Sequence, residues 1–221
     1  MVLAGERPGG SAFSRELGLS ASVLVDVAGK SSLRRVIETL ESSGSVSDGV
    51  LCGPDHTVCE TEPEISDILA ESSFQWLAPE TGPSASALAG MEKLNQFPVL
   101  LTAGDHALLT PAIVDDFCTR AAELDADVVF GLAPYPRVRE AFPESKRTVL
   151  RFTDGSYCGT NLFAILTPQG KAGPAFWRSL EADRKRPWKM ARKIGPGLIL
   201  KFFFRRLTLD SVLEALSRAM G

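Results

Sequence analysis

Short apolar runs alternate with segments of helical periodicity over the first 133 residues of the chain. Runs that are apolar throughout predict strands buried on both faces, and their alternation with helices is typical of a mainly parallel sheet covered by helices. We therefore predict an α/β fold. The predicted strands are Met1–Ala4, Val23–Val27, Val50–Cys52, Phe74–Leu77, Val99–Ala103 and Val128–Leu132.

Four of the segments between these runs predict helices. The clearest is amphipathic, because its apolar residues recur at i, i+3, i+4 and i+7. These residues are Leu33, Val36, Ile37 and Leu40. A weaker spacing predicts a helix over Glu64–Glu71. Two more are predicted from their start signals, Ser84 as an N-cap and Thr110–Pro111 as an N-cap and first-turn pair.

The pattern changes after residue 133. Val149–Phe152 and Tyr157–Leu166, joined by the turn residues 153–156, predict a β-hairpin. Helical pieces broken at Gly195–Pro196 follow, and a last amphipathic helix is predicted from Thr208. This half therefore differs in style from the alternating pattern before it.

The composition is that of an ordinary globular chain. Of the 221 residues, 44% are hydrophobic and 23% are charged, which predicts a folded protein with a large core. No internal repeat or low-complexity linker divides it, so we predict one domain over residues 1–221, with halves at 1–133 and 134–221. The net charge of −3 gives no case for a nucleic-acid partner.

Cysteine usage and hydropathy predict a cytoplasmic protein. The four cysteines lack C-x-x-C spacing, and we interpret them as reduced thiols rather than as a zinc site or a disulfide framework. We expect no signal peptide, because the chain does not open on a basic region followed by an apolar stretch. No uncharged apolar run approaches the roughly 18 residues of a membrane span.

Positive charge is concentrated towards the C-terminus. From Arg178 to Arg206 there are ten basic residues and two acidic ones, a net charge of +8, with Trp188 and three consecutive phenylalanines among them. Two interpretations stay open. Residues 184–206 bind an anionic small molecule or a lipid phosphate, with peripheral membrane contact. Alternatively, the apolar side chains pack against the domain and the cations face solvent.

The opening stretch MVLAGERPGGSAF places a glycine-rich loop directly after an apolar strand. Glycines allow a ligand to approach the backbone closely, and successive N–H groups form a nest that binds anions such as phosphates. The alternative is a flexible turn after a buried strand, because glycine and proline are common in all turns. The loop alone does not decide between these two interpretations.

A second stretch, FPVLLTAGDHALLTP, places Asp105 where an apolar strand ends. Ligands of open α/β sheets lie beyond the carboxyl ends of the strands. A carboxylate there, near a phosphate-binding loop, suits Mg²⁺ shared with substrate phosphates. The alternative is that Asp105 only caps a turn.

Taken in order, these stretches resemble the MobA-like nucleotidyltransferases, a family that includes molybdenum-cofactor guanylyl- and cytidylyltransferases. VLAGERPGG resembles the family's opening strand and LAGGxGxR loop, and PVLLTAGDHALLTP resembles the strand that ends in its metal-binding Asp. VLVDVAGKSSLRRVIETL and GTNLFAI resemble two further segments, so that the likeness covers residues 1–166. The resemblance implies a Rossmann-like three-layer αβα sandwich of the GT-A type with a mostly parallel sheet.

The resemblance implies a nucleotide-binding role for the first loop. The nucleotide would be an NTP, and the backbone of Leu3, Ala4 and Gly5 would hold it. The loop that contains Gly9 and Gly10 would wrap the triphosphate.

Further roles follow from the same resemblance. Arg7 would neutralise charge on the pyrophosphate leaving group, and Asp105 would hold Mg²⁺. Gly82 and Ser84 match the place where the family contacts the base or ribose, although Ser84 is equally interpreted as a plain N-cap. Asn161 matches a position near the acceptor substrate.

The sequence departs from the family pattern in three places. Ser22 stands where the family commonly has a lysine that reaches the phosphates, and no basic residue lies between Arg15 and Lys30. Glu6 stands where the family usually has a second glycine. The family's late aspartate, a second metal ligand, has no counterpart before Gly221.

These observations lead to one main expectation and two alternatives. We expect a Mg²⁺-dependent nucleotidyltransferase that moves NMP from an NTP to a phosphorylated or hydroxyl acceptor and releases pyrophosphate. The first alternative is a nucleotide-binding protein with impaired catalysis, which the missing lysine and aspartate would allow. The second is a GT-A glycosyltransferase. Such enzymes favour a D-x-D motif at a strand end, where this chain has Gly104-Asp105-His106.

Overall fold

The computed structural model of the chain describes residues 1–6, 10–183, 197 and 206–220. It divides into two compact units. The first unit comprises Met1–Val129 and Asn161–Lys171, and the second comprises Phe130–Thr160 and Ala172–Gly221. Two strands, Val128–Pro134 (β7) and Gly155–Ile165 (β9), begin in one unit and end in the other.

The first unit contains most of the alternating pattern. Its other strands are β1 (Val2–Leu3), β2 (Asp26–Val27), β3 (Lys30–Ser31), β4 (Gly49–Cys52), β5 (Phe74–Leu77) and β6 (Val99–Ala103). Its α-helices are α1 (Ala12–Glu16), α2 (Ser32–Glu41), α3 (His56–Thr61), α4 (Pro63–Glu71), α5 (Pro83–Leu94) and α6 (Pro111–Ala122). Two 3-10 helices lie at Ser22–Leu24 and Pro168–Lys171.

The central sheet is mostly parallel and has the strand order β5-β4-β1-β6-β9-β7. Strands β5, β4, β1 and β6 run parallel to one another, with Val2 opposite both Leu51 and Thr102. Strand β9 is antiparallel to β6, and Leu101 lies opposite Phe163. The carboxyl ends of the four parallel strands therefore meet at one edge of the sheet.

Helices cover both faces of this sheet, as the α/β prediction requires. Successive residues of a strand point to opposite faces, and in β4 Leu51 joins one apolar core while Val50 and Cys52 join another. Helix α2 packs on the first face through Leu33, Val36, Ile37 and Leu40, all of them buried. Helix α5 packs on the second face through Ala87 and Met91. The predicted three-layer αβα sandwich is confirmed.

One predicted strand of the first unit is wrong. The apolar run Val23–Val27 begins as the 3-10 helix Ser22–Leu24 and continues as strand β2, which pairs with β3 outside the main sheet. Gly29, at φ +84°, makes the tight turn between β2 and β3, and its N–H donates to Asp26 Oδ1 at 3.1 Å. A short apolar run does not show which strand it will pair with. Here residues 26–27 pair with the neighbouring strand β3 in a local hairpin.

The second unit contains the predicted hairpin and the predicted last helix. Its described elements besides β7 and β9 are α7 (Tyr135–Ala141), β8 (Leu150–Phe152), α8 (Ala172–Asp183) and α9 (Leu209–Met220). Strand β8 pairs antiparallel with β9 through the turn before Gly155. The Thr208 hydroxyl accepts a hydrogen bond from Ser211 N at 3.2 Å, which caps α9 where the sequence predicts its start.

Two sequence-based expectations lie outside the described residues. The predicted break at Gly195–Pro196 is one, and nearly all of the basic segment 184–206 is the other. Within the described ranges, none of the helices is both long enough and apolar enough to cross a membrane.

Candidate functional site

Hydrogen bonds link the ends of the parallel strands into one continuous edge. Ala4 N donates to Cys52 O at 2.8 Å, which joins the ends of β1 and β4. Gly104 N donates to Leu3 O at 2.8 Å, which joins the ends of β6 and β1. Gly53 N donates to Leu77 O at 2.9 Å, which joins the ends of β4 and β5. The loops after all four strands are thereby brought side by side.

Glycine is required where two of these loops touch. A Cβ placed on Gly53 would lie 2.6 Å from Gly5 N and 2.8 Å from Gly5 Cα, and Gly53 has a φ of +92°. A Cβ on Gly5 would lie 2.8 Å from Pro79 Cβ. The chain therefore presents bare backbone after β1, packed against the loops after β4 and β5. The missing Cβ atoms at Gly5 and Gly53 therefore allow these loops to pack closely against each other.

The loop after β1 is described only at its two ends. Gly10 has a φ of +76°, a conformation that favours glycine, and the short helix α1 follows it. The Arg15 guanidinium donates to Gly10 O at 3.5 Å. Arg7 and Gly9, the other residues predicted here, lie outside the described residues.

Glu6 turns its carboxylate inward across this loop. Its Oε1 accepts a hydrogen bond from Ser22 N at 2.7 Å, and its Oε2 accepts one from Ser14 Oγ at 3.3 Å. The side chain is partly buried, and a Cβ on Gly10 would lie 3.7 Å from Oε2. The sequence marked Glu6 as a departure from the family pattern, but nothing in the sequence identified its two hydrogen-bond donors.

Asp105 lies in the tight turn after β6, and its carboxylate points outward. The N–H groups of the turn bond to main-chain carbonyls: His106 N to Ala103 O at 3.2 Å, and Ala107 N to Asp105 O at 2.9 Å. Asp105 is exposed, and no hydrogen bond or ion pair among the described residues involves its carboxylate. The turn therefore does not use the Asp105 side chain as its cap.

The start of α5 differs from the predicted one. Its N-cap is Gly82, Pro83 is the first helical residue, and Ser84 lies one residue inside the helix, where it is buried. The prediction that Ser84 is the N-cap is wrong, because proline takes the first-turn position that its fixed φ suits. Ser86, which sequence reasoning missed, accepts a hydrogen bond from Glu80 N at 2.9 Å and so holds the loop before the helix.

Asn161 belongs to the first unit and lies near the same edge. It is two residues from Phe163, which pairs with Leu101, and the antiparallel direction of β9 puts it towards the end of β6 where Asp105 follows. Its φ of +56° is unusual for a non-glycine residue inside a strand, and the residue is exposed. Strained backbone of this kind is common at functional sites.

The thiols near this edge are not nucleophiles at neutral pH. Burial raises the pKa of Cys52, at the end of β4, to about 11. Burial, followed by the nearby Asp55 carboxylate, raises the pKa of Cys59 to about 11. Both side chains therefore stay protonated, and a thiolate is the reactive form of cysteine. Cys52 and Cys59 are therefore not candidates for a nucleophile at this edge.

Comparison with known proteins is informative at the family level. A family model described as the MobA-like NTP transferase domain matches residues 1–194. No curated protein is similar enough to count as a match.

Solved structures add evidence on the fold. A hypothetical transferase from Thermus thermophilus is 25% identical with a TM-score of 0.78, and the match covers 100% of this chain and 87% of that one. CMP:2-keto-3-deoxy-manno-octonic acid synthetase, solved with CTP, is 12% identical with a TM-score of 0.56, and the match covers 89% and 86%. HddC from Yersinia pseudotuberculosis, solved with GMP-PN, is 16% identical with a TM-score of 0.53, and the match covers 77% of both chains. At these identities, the last two likenesses show the fold alone.

Proposed function

Since the chain belongs to the MobA-like NTP transferase family, we propose that it is a nucleotidyltransferase that moves NMP from an NTP to a phosphorylated or hydroxyl acceptor. An acceptor oxygen forms a bond to the α-phosphorus, and the bond from that phosphorus to the bridging oxygen of the β-phosphate breaks. Pyrophosphate leaves with the bonding electron pair. A hydroxyl acceptor also releases its proton, whereas an ionised phosphate has none to lose.

The observation that carries this proposal is the pairing of bare backbone with one carboxylate at a single sheet edge. The hydrogen bond from Gly104 N to Leu3 O fixes the end of β6 beside the end of β1. The exposed carboxylate of Asp105 and the glycine backbone at Gly5 therefore belong to neighbouring loops. Transfer of a nucleotidyl group depends mainly on positioning and on stabilising charge, which such an edge supplies without a covalent intermediate.

Each predicted residue has a role in this proposal. The backbone of Leu3, Ala4 and Gly5 holds the nucleotide, since the chain after β1 has no side chain at Gly5, which is exposed. The loop through Gly9 and Gly10 follows the triphosphate.

The remaining assignments concern the leaving group, the nucleoside and the acceptor. Arg7 neutralises charge on the departing pyrophosphate. The loop ending at Gly82, with Ser84 just inside α5, faces the base or ribose. Asn161 contacts the acceptor.

The residues present fit a magnesium ion that is shared with substrate. Mg²⁺ is usually bound by one or two carboxylates together with substrate phosphates and water, and Asp105 offers one exposed carboxylate at the right edge. In the described part of the chain no group of three or more His, Cys, Asp or Glu side chains could hold a metal ion. Bound Mg²⁺ would polarise the α-phosphate and offset the charge of the leaving group.

The acceptor side of the proposal rests on charge. The segment 184–206, which the structure largely leaves undescribed, has nine basic residues and no acidic one, a net charge of +9. An anionic acceptor, either a small molecule or a lipid phosphate, would be attracted to it. We expect cytoplasmic localisation, because both NTP and Mg²⁺ are available there.

A nucleotide panel tests the proposal on the full chain. Melting temperature is measured with ATP, GTP, CTP and UTP, each with and without Mg²⁺, because a ligand that binds only the folded state raises Tm. One nucleotide should raise Tm selectively, and pyrophosphate should then be released from it when the right acceptor is supplied. Soluble phosphorylated compounds and vesicles containing lipid phosphates are screened in parallel arms. A chain that no nucleotide stabilises would overturn the proposal.

The geometry at Glu6 favours a second candidate, a nucleotide-binding protein that does not catalyse transfer. A carboxylate in the phosphate loop, with Ser22 in place of the family's lysine, removes positive charge where the leaving group needs it. The same panel distinguishes the two functions. Selective nucleotide binding without pyrophosphate release, across acceptors of both classes, would establish the second candidate.

A further inference from the structure

Two departures from the family pattern, sixteen positions apart in sequence, meet in one hydrogen bond. Ser22 N, at the start of the 3-10 helix Ser22–Leu24, donates to Glu6 Oε1 at 2.7 Å. Ser22 and Glu6, which stand where the resemblance implies a lysine and a second glycine, are therefore in direct contact in this chain. The sequence presents them as independent losses, whereas the structure makes them a single feature.

The donors that hold Glu6 are ones that an anion would also use. A backbone N–H and a serine hydroxyl are typical partners of phosphate oxygens. The bond of 2.7 Å is short, as expected for a charged acceptor. Ser14, the hydroxyl donor, is itself fixed by Ser11, whose side chain accepts from Ser14 N at 2.9 Å. The carboxylate thus occupies a preformed anion position at the loop.

Glu6 forms no ion pair with a described cation, although Arg15 lies near the same glycine, Gly10. The ion pairs of the described ranges involve other acidic residues, and Glu6 is in none of them. Glu6 is partly buried, so its charge is screened less than that of a fully exposed side chain. A phosphate chain that approaches the backbone of Gly5 and Gly10 is therefore repelled by the negative charge of the Glu6 carboxylate, which lies in the same loop.

We propose that Glu6 sets the affinity of the loop for polyphosphate: its carboxylate, held by Ser22 N and Ser14 Oγ, acts as an internal anion that opposes the phosphates. Binding then depends strongly on a divalent cation, which screens the repulsion. This inference rests on the proposed nucleotide site, and it adds a residue that weakens binding rather than one that supports it. Glu6 is a residue that tunes specificity towards cation-complexed polyphosphates, and not a catalytic residue.

The test compares Glu6→Gln with a matched control in the full chain. Glutamine keeps the shape of the side chain and can accept from Ser22 N, but it has no charge. Glu16→Gln removes the same charge from an exposed residue of α1 that takes part in none of these bonds. Binding of inorganic tripolyphosphate and of the preferred NTP is measured by calorimetry, with Mg²⁺ and with EDTA.

We expect Glu6→Gln to tighten binding about tenfold or more in EDTA, and less in Mg²⁺, because one nearby charge is removed and the cation no longer has to screen it. Glu16→Gln should change affinity less than about twofold, because its charge is exposed and screened. Ser22→Lys, which adds a cation and leaves Glu6 in place, should tighten binding in the same direction. The wild type itself tests the proposal even if Glu6→Gln folds poorly, because its tripolyphosphate affinity should fall sharply from Mg²⁺ to EDTA, and equal affinities would contradict the role of Glu6.

The outcomes separate this inference from the proposed function. Equal tripolyphosphate affinity in the wild type and Glu6→Gln would overturn the role of Glu6 and leave the nucleotide site intact, whatever Ser22→Lys does. Tighter tripolyphosphate binding in Glu6→Gln, with no nucleotide preference and no transfer, would support the role of Glu6 and overturn the proposed function. Absence of any binding in all variants would overturn both.

Discussion

Two carboxylates follow neighbouring strands of the sheet, and they differ in their hydrogen bonding within the protein. The Glu6 carboxylate, after β1, accepts hydrogen bonds from Ser22 N and Ser14 Oγ. The Asp105 carboxylate, after β6, is exposed and takes part in none of the hydrogen bonds among the described residues. A carboxylate whose lone pairs are used inside the protein acts as a structural anion, whereas an unused one is available for a ligand. Residue type alone therefore does not define a metal ligand.

Replacing the unused carboxylate should have the largest functional effect. We expect Asp105→Asn to lower the transfer rate about 100-fold or more, since it removes the charge that would hold Mg²⁺ near the reacting phosphate. Its free energy of unfolding should change by less than about 0.5 kcal/mol, because the side chain makes no internal bond. Pyrophosphate release and urea denaturation measure the two quantities.

The control for this substitution is Asp67→Asn, an exposed aspartate on α4. It should leave both rate and stability unchanged. If Asp105→Asn lowers stability by several kcal/mol, or if Asp67→Asn slows the reaction equally, the contrast between the two edge carboxylates is broken.

The second prediction disturbs the backbone on which the β1 loop rests. Gly53→Ala should destabilise the fold by about 2 to 3 kcal/mol, because the new Cβ would lie 2.6 Å from Gly5 N at a φ of +92°. Gly29→Ala is a matched control, since Gly29 has a φ of +84° but open space around the Cβ position. It should cost only about 1 kcal/mol from backbone strain. Equal losses in the two variants would mean that the contact between the loops is not tight.

The third prediction concerns the stability of the held carboxylate. Glu6→Ala should lower the free energy of unfolding by about 1 to 2 kcal/mol, because it leaves Ser22 N without its acceptor and removes one of the acceptors of Ser14 Oγ. Asp105→Ala should cost nothing measurable in the same assay. The two alanine variants thus sharpen the comparison, since one should reduce stability and the other should reduce activity. A loss of stability from Asp105→Ala alone would reverse the assignment.

The smallest effect on nucleotide binding is expected at Asp115, a hydrogen-bonded carboxylate on α6. Hydrogen bonds from Ser43 and Ser45 lower the pKa of Asp115, so its charged form is favoured in the folded state. Its contribution to stability is therefore present above the pKa of the unfolded chain and is lost as pH falls through the lowered pKa of the folded state. Asp115→Asn should remove this pH dependence on the acid side while nucleotide affinity stays unchanged. Thermal denaturation as a function of pH measures it.

The sequence predicted the parts of this molecule that depend on local pattern. The helical spacing of the apolar residues from Leu33 to Leu40 correctly predicts α2, and the cap at Thr110 correctly predicts α6. It could not identify the partner of the run Val23–Val27, because pairing in a sheet is decided by residues distant in sequence. Ser84 was misassigned for the opposite reason, since a stronger local signal, Pro83, precedes it.

For the candidate site, sequence reasoning names residues at this edge, which stay a prediction, and misses the contacts between them. Glycine and aspartate after apolar strands are a pattern that a single sequence displays, so Gly5 and Asp105 were named as candidates. The steric need at Gly53 and the bond from Ser22 to Glu6 arise between segments that are far apart along the chain. Such contacts exist only once the strands are aligned.

The register of β9 against β6 has a consequence for the synthesis of this protein on the ribosome. Residues 99–101 find their partners at 163–165, so β6 has an unpaired side until that later stretch has left the exit tunnel. Unpaired strand edges invite association with other chains. Nascent chains halted before residue 161 are therefore expected to recruit chaperones, and chains halted well beyond residue 171 to release them.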